Sequence, residues 1–307
     1  MEIPEIRFLA HHEIDKQKWD TCVQQAPNGF IYALSFFLDG LCNWDALVMG
    51  DYEYVMPLPR RRKYGFHYIY TPPFTGQLGI VGPLPVTPQY IDAFILSIPR
   101  SFSYIDLLMN EENDLADTVV HSRIRKVNLV LPLTDPYRQL CSRYSRDARK
   151  NLRRADAFNL AVKKDINPSL VLKLYKEAYG QKLHGLNEIT YEQIRQVMKV
   201  AIKKEMGFTV GVYKGNDLVG AGFFGKDDKR IYYLMGAPST AGRGMKAIHV
   251  LVDSVIREYS NSGLMFDFEG SDIPNVYNFY MKFSPETKYY AHLKINRLPF
   301  FLRWLKS

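Results

Sequence analysis

The chain has little cysteine, and what it has is not organised. Cys22, Cys42 and Cys141 are scattered, odd in number and without CxxC spacing. That excludes a disulfide framework and a cysteine-based zinc site, and it points to a reducing compartment. The histidines form no metal-spaced cluster, so no metal is expected. No nucleophile motif supports a Ser-His-Asp or Cys-His system, and there is no Walker A sequence. Sustained heptads are missing as well. No apolar run reaches the ~20 residues needed to cross a bilayer. Met1-Glu2-Ile3-Pro4-Glu5 has neither the basic patch nor the apolar run of a signal peptide, so a cytoplasmic protein is expected.

What remains is a globular chain of 307 residues, 47% hydrophobic and 23% charged, long enough for two domains of ordinary size. Aromatics reach 14%, mostly Tyr and Phe, which suits sheets with one wet face and sites for sugars, nucleotides or lipid headgroups. Forty basic against 32 acidic residues give a net charge of +8, which favours polyanionic partners.

The pattern predicts α/β (α+β) architecture in two domains, 1–134 and 135–307. Helices are expected at Lys16–Gln25 and Ser35–Leu41, then a hairpin of Ala46–Met49 and Tyr54–Leu58 around Gly50-Asp51. Arg60-Arg61-Arg62-Lys63 reads as a basic loop, Phe66–Tyr70 as a strand, and Pro72-Pro73-Phe74-Thr75-Gly76 as a fixed loop. A single helix is expected over 137–155. Leu140, Tyr144, Ala148, Leu152 and Ala155 form one stripe of it, and Arg143, Arg146, Arg149, Lys150, Arg153 and Arg154 the opposite side. Such a basic face repels itself, so it reads either as an anion-binding surface or as a solvated helix joining two domains. Strands Phe208–Tyr213, Leu218–Gly225 and Arg230–Gly236, joined by short polar links, predict an antiparallel meander. The hairpin Gly211–Phe223 faintly echoes Ala46–Leu58, a hint of duplication.

The most informative stretch runs from Leu264 to Phe283. In Leu264-Met265-Phe266-Asp267-Phe268-Glu269 the residues alternate, so Asp267 and Glu269 are expected on one face of a strand, their Cα atoms roughly 6.5–7 Å apart. Gly270-Ser271 ends the strand, and a short helix with Tyr277, Phe279, Tyr280 and Lys282 follows. Two carboxylates facing Tyr280 and Lys282 form a candidate catalytic group. A solvated edge beside ordinary core aromatics is the plain alternative.

Ser239-Thr240-Ala241-Gly242-Arg243-Gly244 lies between a strand and a helix, where backbone amides and the helix N-terminus could receive a phosphate. The dinucleotide fingerprint is rejected, because the preceding strand belongs to a meander of hairpins and not to a parallel βαβ unit. A meander, glycine loop, helix, strand, helix and final strand is the order of the GNAT acyltransferase fold, and the loop resembles that family's pyrophosphate motif. Ser239 stands where the family carries Gln or Arg.

Over its whole length the chain resembles the FemAB-like branch, in which two GNAT-like domains lie in tandem. The Pro72-Pro73-Phe74 loop, the basic stretch Tyr144–Ala155, the Asp267-Phe268-Glu269-Gly270 strand end and Asn278–Phe283 carry this resemblance. It implies transfer of an acyl or aminoacyl group to an amine, from acyl-CoA or aminoacyl-tRNA, to an acceptor such as a peptidoglycan or glycan precursor. On this reading Glu269 or Asp267 is the base. Tyr280, or alternatively Lys282, stabilises the oxyanion or leaving group. Ser239, Gly242, Arg243 and Gly244 hold the donor. Arg146, Arg149, Lys150 and Arg153, with Tyr277 and Phe74, bind substrate between the domains. The family's F-K-x-x-F motif is altered here: Tyr280 follows Phe279, and lysine comes only at Lys282. A non-catalytic binding protein for an anionic glycan or nucleic acid is the alternative from another class. The last segment, Leu298–Lys306, mixes aromatic and basic residues. It reads either as a membrane-surface contact or as a stretch folded back on the final strand.

Overall fold

The computed structural model describes residues 4–63, 65–115, 124–180 and 186–302. The chain forms two compact units, one of residues 1–126 and 289–307, the other of residues 127–288. The boundary expected at 134/135 therefore lies elsewhere. The reason is strand pairing, as the sheets show.

In the first unit, β1 (Ile6–Leu9), α1 (Lys16–Gln25), α2 (Ser35–Leu41), β2 (Asn43–Met49), β3 (Tyr54–Lys63), β4 (Phe66–Tyr70), α3 (Pro88–Leu96) and β5 (Phe102–Leu108) follow in order. The Asp15 side chain caps α1 by accepting from the Gln17 and Lys18 amides. The basic stretch expected as a loop continues β3 instead, with Arg60 opposite Ile69 and Lys63 opposite Phe66. Arg61 makes this tolerable by laying its guanidinium over the rings of Tyr68 and Tyr70, at 4.9 and 4.2 Å.

In the second unit, β6 (Ile124–Pro132) precedes α4 (Tyr137–Arg143), α5 (Arg146–Asp156), β7 (Ala161–Lys164), α6 (Pro168–Tyr179), α7 (Glu188–Lys203), the meander β8 (Gly207–Lys214), β9 (Asp217–Lys226) and β10 (Arg230–Pro238), then α8 (Thr240–Gly244), α9 (Ala247–Glu258), β11 (Met265–Asp267) and α10 (Pro274–Met281). The helix expected over 137–155 is two helices. Tyr144 is extended, and Ser145 caps α5 by accepting from the Ala148 amide at 3.1 Å. The apolar stripe survives the break, with Leu140, Tyr144, Ala148 and Ala155 all buried. Gly220 and Gly222 of β9 face Ala247 and Leu251 of α9, while Phe223, on the opposite face, lies where Gly207 approaches Ala201 of α7. The meander is thus covered on both faces.

The last strand, β12 (Glu286–Asn296), pairs antiparallel with β5, His292 to Asn296 lying opposite Leu108 to Tyr104. It belongs to the first unit. Conversely β6 pairs with β11 and completes the sheet of the second. The two sheets have the same logic. In the order β1-β2-β3-β4-β5-β12, one parallel pair (β4 with β5) interrupts antiparallel neighbours. In the order β7-β8-β9-β10-β11-β6, the parallel pair is β10 with β11 at the same place. The two hairpins that echo each other in sequence, β2–β3 and β8–β9, occupy matching positions. Among the described residues no helix is long and apolar enough to cross a membrane.

Candidate functional site

The site begins where β11 stops. Phe266 and Phe268 are fully buried and anchor the strand in the core of the second unit. Between them Asp267, only 3% exposed, is held by an ion pair to Arg230 at 2.8 Å and by the Asn128 amide at 3.2 Å. Its other oxygen accepts from the Glu269 backbone amide at 2.9 Å, a local turn that bends the chain out of the strand. Glu269 then lies in the left-handed region at φ +68°, followed by Gly270 at +58°. Only glycine fits the second position, since a Cβ there would lie 1.9 Å from the Val127 carbonyl oxygen. A non-glycine residue held left-handed stores backbone strain, and such strain concentrates at functional positions.

This geometry corrects the expected alternation. The strand ends at Asp267, so the two acids are not a matched pair on one face. Asp267 is bound to Arg230 and sets the turn; Glu269 is the acid left with capacity. Its Oε1 is buried without a hydrogen-bond partner, although the residue as a whole is only half-buried. Burial alone pushes its carboxyl up to about 8.

The phenol that feels the charge of that acid is Tyr280. Tyr280, on α10, packs against Phe268 at 5.1 Å and edge-on to Tyr233 of β10 at 6.0 Å. Its phenol is pushed upward by burial first, then by the nearby hydroxyls of Tyr175 and Tyr179 on α6 and by Glu269. Tyr175 is itself pushed up to about 12 by burial. Tyr175, Tyr179 and Tyr233 were not singled out from the sequence. The spacing of the first two on α6, one turn apart, was the available signal, but only the fold shows that they meet Tyr280.

Lys282 has a different setting from the one expected. Its ammonium pairs with Asp147 at 2.6 Å, and its carbonyl accepts from the Ser145 amide at 2.9 Å. Ser284 donates its hydroxyl to the Arg143 carbonyl just beyond. Lys282 therefore fastens the end of α10 to the first turn of α5. Beside it His249 meets Asn151 at 3.1 Å, and burial lowers its imidazole to about 4, which keeps it neutral. Tyr277 packs half-buried against the same core.

The basic residues of α5 divide. Arg146, Arg149, Lys150 and Arg153 are all exposed, and they differ in what they line. Arg149 and Arg153 line a cleft of about 560 Å3 within the second unit, together with Leu152, Leu160, Val250 and Arg257. On its wall Tyr137 donates to Asp253 at 2.9 Å and accepts from Arg257 at 2.9 Å. Phe74 belongs to the first unit, in the Pro-rich loop, at φ +62°.

The glycine segment is wound into α8. The Ser239 hydroxyl accepts from the Gly242 amide at 3.0 Å, and the Arg243, Met245 and Lys246 amides bond to Ser239, Ala241 and Arg243 carbonyls. Gly242 is packed against β9, where a Cβ would come within 1.8 Å of the Val219 carbonyl oxygen. These four amides are therefore engaged inside the protein. Gly244 has open space around its Cα. Among the described residues no group of His, Cys, Asp and Glu could hold a metal ion.

No protein-family model and no curated protein matches the sequence. Solved structures do. FemX superposes with a TM-score of 0.69 at 12% identity, over 98% of this chain and 99% of its own. The C-terminal domain of a putative lysylphosphatidylglycerol synthetase from Agrobacterium fabrum gives 0.56 at 11% identity, over 93% and 92%. A tandem GNAT protein from the clavulanic acid biosynthesis pathway gives 0.54 at 12% identity, over 96% and 99%. Likeness at such low identity is a likeness of fold. Together with the repeated sheet order, it shows that this chain has the tandem GNAT-like, FemAB-like fold.

Proposed function

We propose that the protein is an N-acyltransferase that moves an acyl or aminoacyl group from an activated donor to a primary amine, with its chemistry in the second unit. One observation carries this reading: a buried carboxyl without a partner, on a strained residue at the mouth of the parallel β10–β11 pair, with a phenol beside it.

An amine attacks a carbonyl only as the neutral base, so a proton must leave the nitrogen. Glu269 is suited to take it, because a carboxyl raised to about 8 matches the basicity of an amine far better than an ordinary glutamate does. The new C–N bond forms, the carbonyl oxygen carries the developing charge, and Tyr280 supplies the hydrogen bond that stabilises it or protonates the departing group. The rings packed on Tyr280 keep water from competing for the carbonyl. Asp267, Arg230 and Asn128 hold the turn, and Lys282 with Asp147 holds the helix; these groups position and do not react.

The donor is an activated acyl compound, either an acyl-CoA or an aminoacyl ester such as an aminoacyl-tRNA. The acceptor is an amine-bearing precursor of a cell-wall or glycan type. The test is transfer of a labelled acyl group from aminoacyl-tRNA or acetyl-CoA to a panel of amine acceptors. Activity with either donor that is lost in Glu269→Gln supports the reading. Full activity in that variant, or transfer by neither donor to any amine, overturns it.

A further inference from the structure

The cleft beside α5 is separate from the group around Glu269. None of Glu269, Tyr280, Tyr233 and Lys282 lines it, and every residue that does belongs to the second unit. Its charged groups are Arg149, Arg153 and Asp156 of α5, and Asp253 and Arg257 of α9. The two carboxylates are not equivalent. Asp253 is 5% exposed and already engaged, accepting from the Tyr137 hydroxyl at 2.9 Å and from Arg257 at 3.3 Å. Asp156 is exposed and makes no ion pair among the described residues.

The guanidinium groups have donors to spare. Arg149 gives one N–H to the Ser142 carbonyl at 2.8 Å, which seats it near the end of α4. Arg257 lies over the Tyr137 ring at 4.4 Å and donates from a single nitrogen, Nη2, to Tyr137 and to Asp253. Arg153 makes no side-chain hydrogen bond or ion pair among the described residues. A guanidinium has five N–H donors, so each of these groups keeps some to offer a ligand. With Asp253 offset by Arg257, Arg149 and Arg153 stand against Asp156 alone. Like charges one turn apart on a helix repel until an anion joins them.

The remaining walls are aliphatic. Leu152 of α5, Val250 of α9, Leu160 and Val162 line the same cleft, and Val162 is 39% exposed on the edge strand β7. A volume of about 560 Å3 has the scale of a small-molecule site.

We propose that this cleft is a second binding site, for a small anionic amphiphile, with a phosphate or carboxylate head on the arginines and an aliphatic body against the leucines and valines. A planar guanidinium fork matches either head. A nucleobase suits the site less well, because Tyr137 already carries the Arg257 guanidinium over its ring. This inference stands apart from the transferase reading and does not depend on it.

The experiment is calorimetric titration of the full chain with hexyl phosphate and with hexanoate, compared with inorganic phosphate, hexanol and hexylamine. Saturable one-to-one binding is expected for at least one of the two anionic amphiphiles. It should be about tenfold or more tighter than for inorganic phosphate, which lacks the apolar body, and for hexanol, which lacks the charge. Arg153→Gln should weaken it about tenfold. Arg154→Gln removes the same charge from the same helix but outside the cleft lining, and should leave it unchanged. Asp156→Asn should tighten it about threefold by removing the opposed charge. All three substitutions fall on exposed side chains, and thermal midpoints equal to the parent would verify that the fold is kept. Absence of saturable binding by both amphiphiles overturns the proposal. So does equal weakening by Arg153→Gln and Arg154→Gln, equal affinity for hexanol, or tighter binding of hexylamine.

Discussion

Glu269 combines three costs: a left-handed backbone, a buried carboxyl and a missing partner. Their effect on pH can be worked out. Its folded pKa lies above its ordinary value of 4.5, so the native state binds more protons than the unfolded state between about 4.5 and 8. Native stability from this residue therefore falls as pH rises through that window. Glu269→Gln should flatten that fall, equalling or exceeding the parent in thermal midpoint near pH 8, as calorimetry across pH would show. The same variant should lose most turnover and also the rise in rate with apparent pKa near 8. Tyr280→Phe should lower turnover while leaving that rise in place, because it removes the hydrogen bond and not the base. A pH–rate profile separates the two. The two acids were legible in the sequence as one candidate catalytic group. That Asp267 is tied to Arg230, a residue in another strand, could not be, because the ion pair joins positions 37 apart in the chain.

At the scale of elements, the turn and the helix after β11 are fixed from separate directions. Gly270→Ala should destabilise by roughly 2 kcal/mol or more, since it combines a left-handed backbone with a clash against the Val127 carbonyl. Denaturant titration would measure it. Asp147→Asn removes the anchor of α10. Because Lys282 lowers the Asp147 pKa, this pair stabilises the parent above the unfolded carboxylate pKa, and the contribution is lost as pH falls through the folded value. Turnover in Asp147→Asn should drop with the apparent pKa of the rate unchanged, the mark of a positioning group. The sequence showed these elements unevenly. The meander was legible because its links are short and polar and its strands alternate. The break at Ser145 was hidden by a stripe that runs on through it, even though a serine three residues before Ala148 is an ordinary cap. Four basic residues in a row looked like a loop, because what accommodates Arg61 in β3 is a pair of tyrosines on a neighbouring strand.

For the molecule as a whole, the hairpin echo was the visible part of a sheet order that the strand pairings show twice. The boundary was misplaced because periodicity reports elements and not partners, and β6 and β12 each join the sheet that their position in sequence does not suggest. A fragment ending at 134 therefore lacks β12, and one starting at 135 lacks β6. Each should be less soluble and more readily proteolysed than the intact chain, as limited proteolysis of the three proteins would show. The same arrangement orders events during synthesis. The first unit's polypeptide emerges early but keeps an unfilled sheet edge along β5 until the last strand leaves the ribosome, by which time every residue of the second unit has been made. The half of the molecule translated first is the half whose folding finishes last.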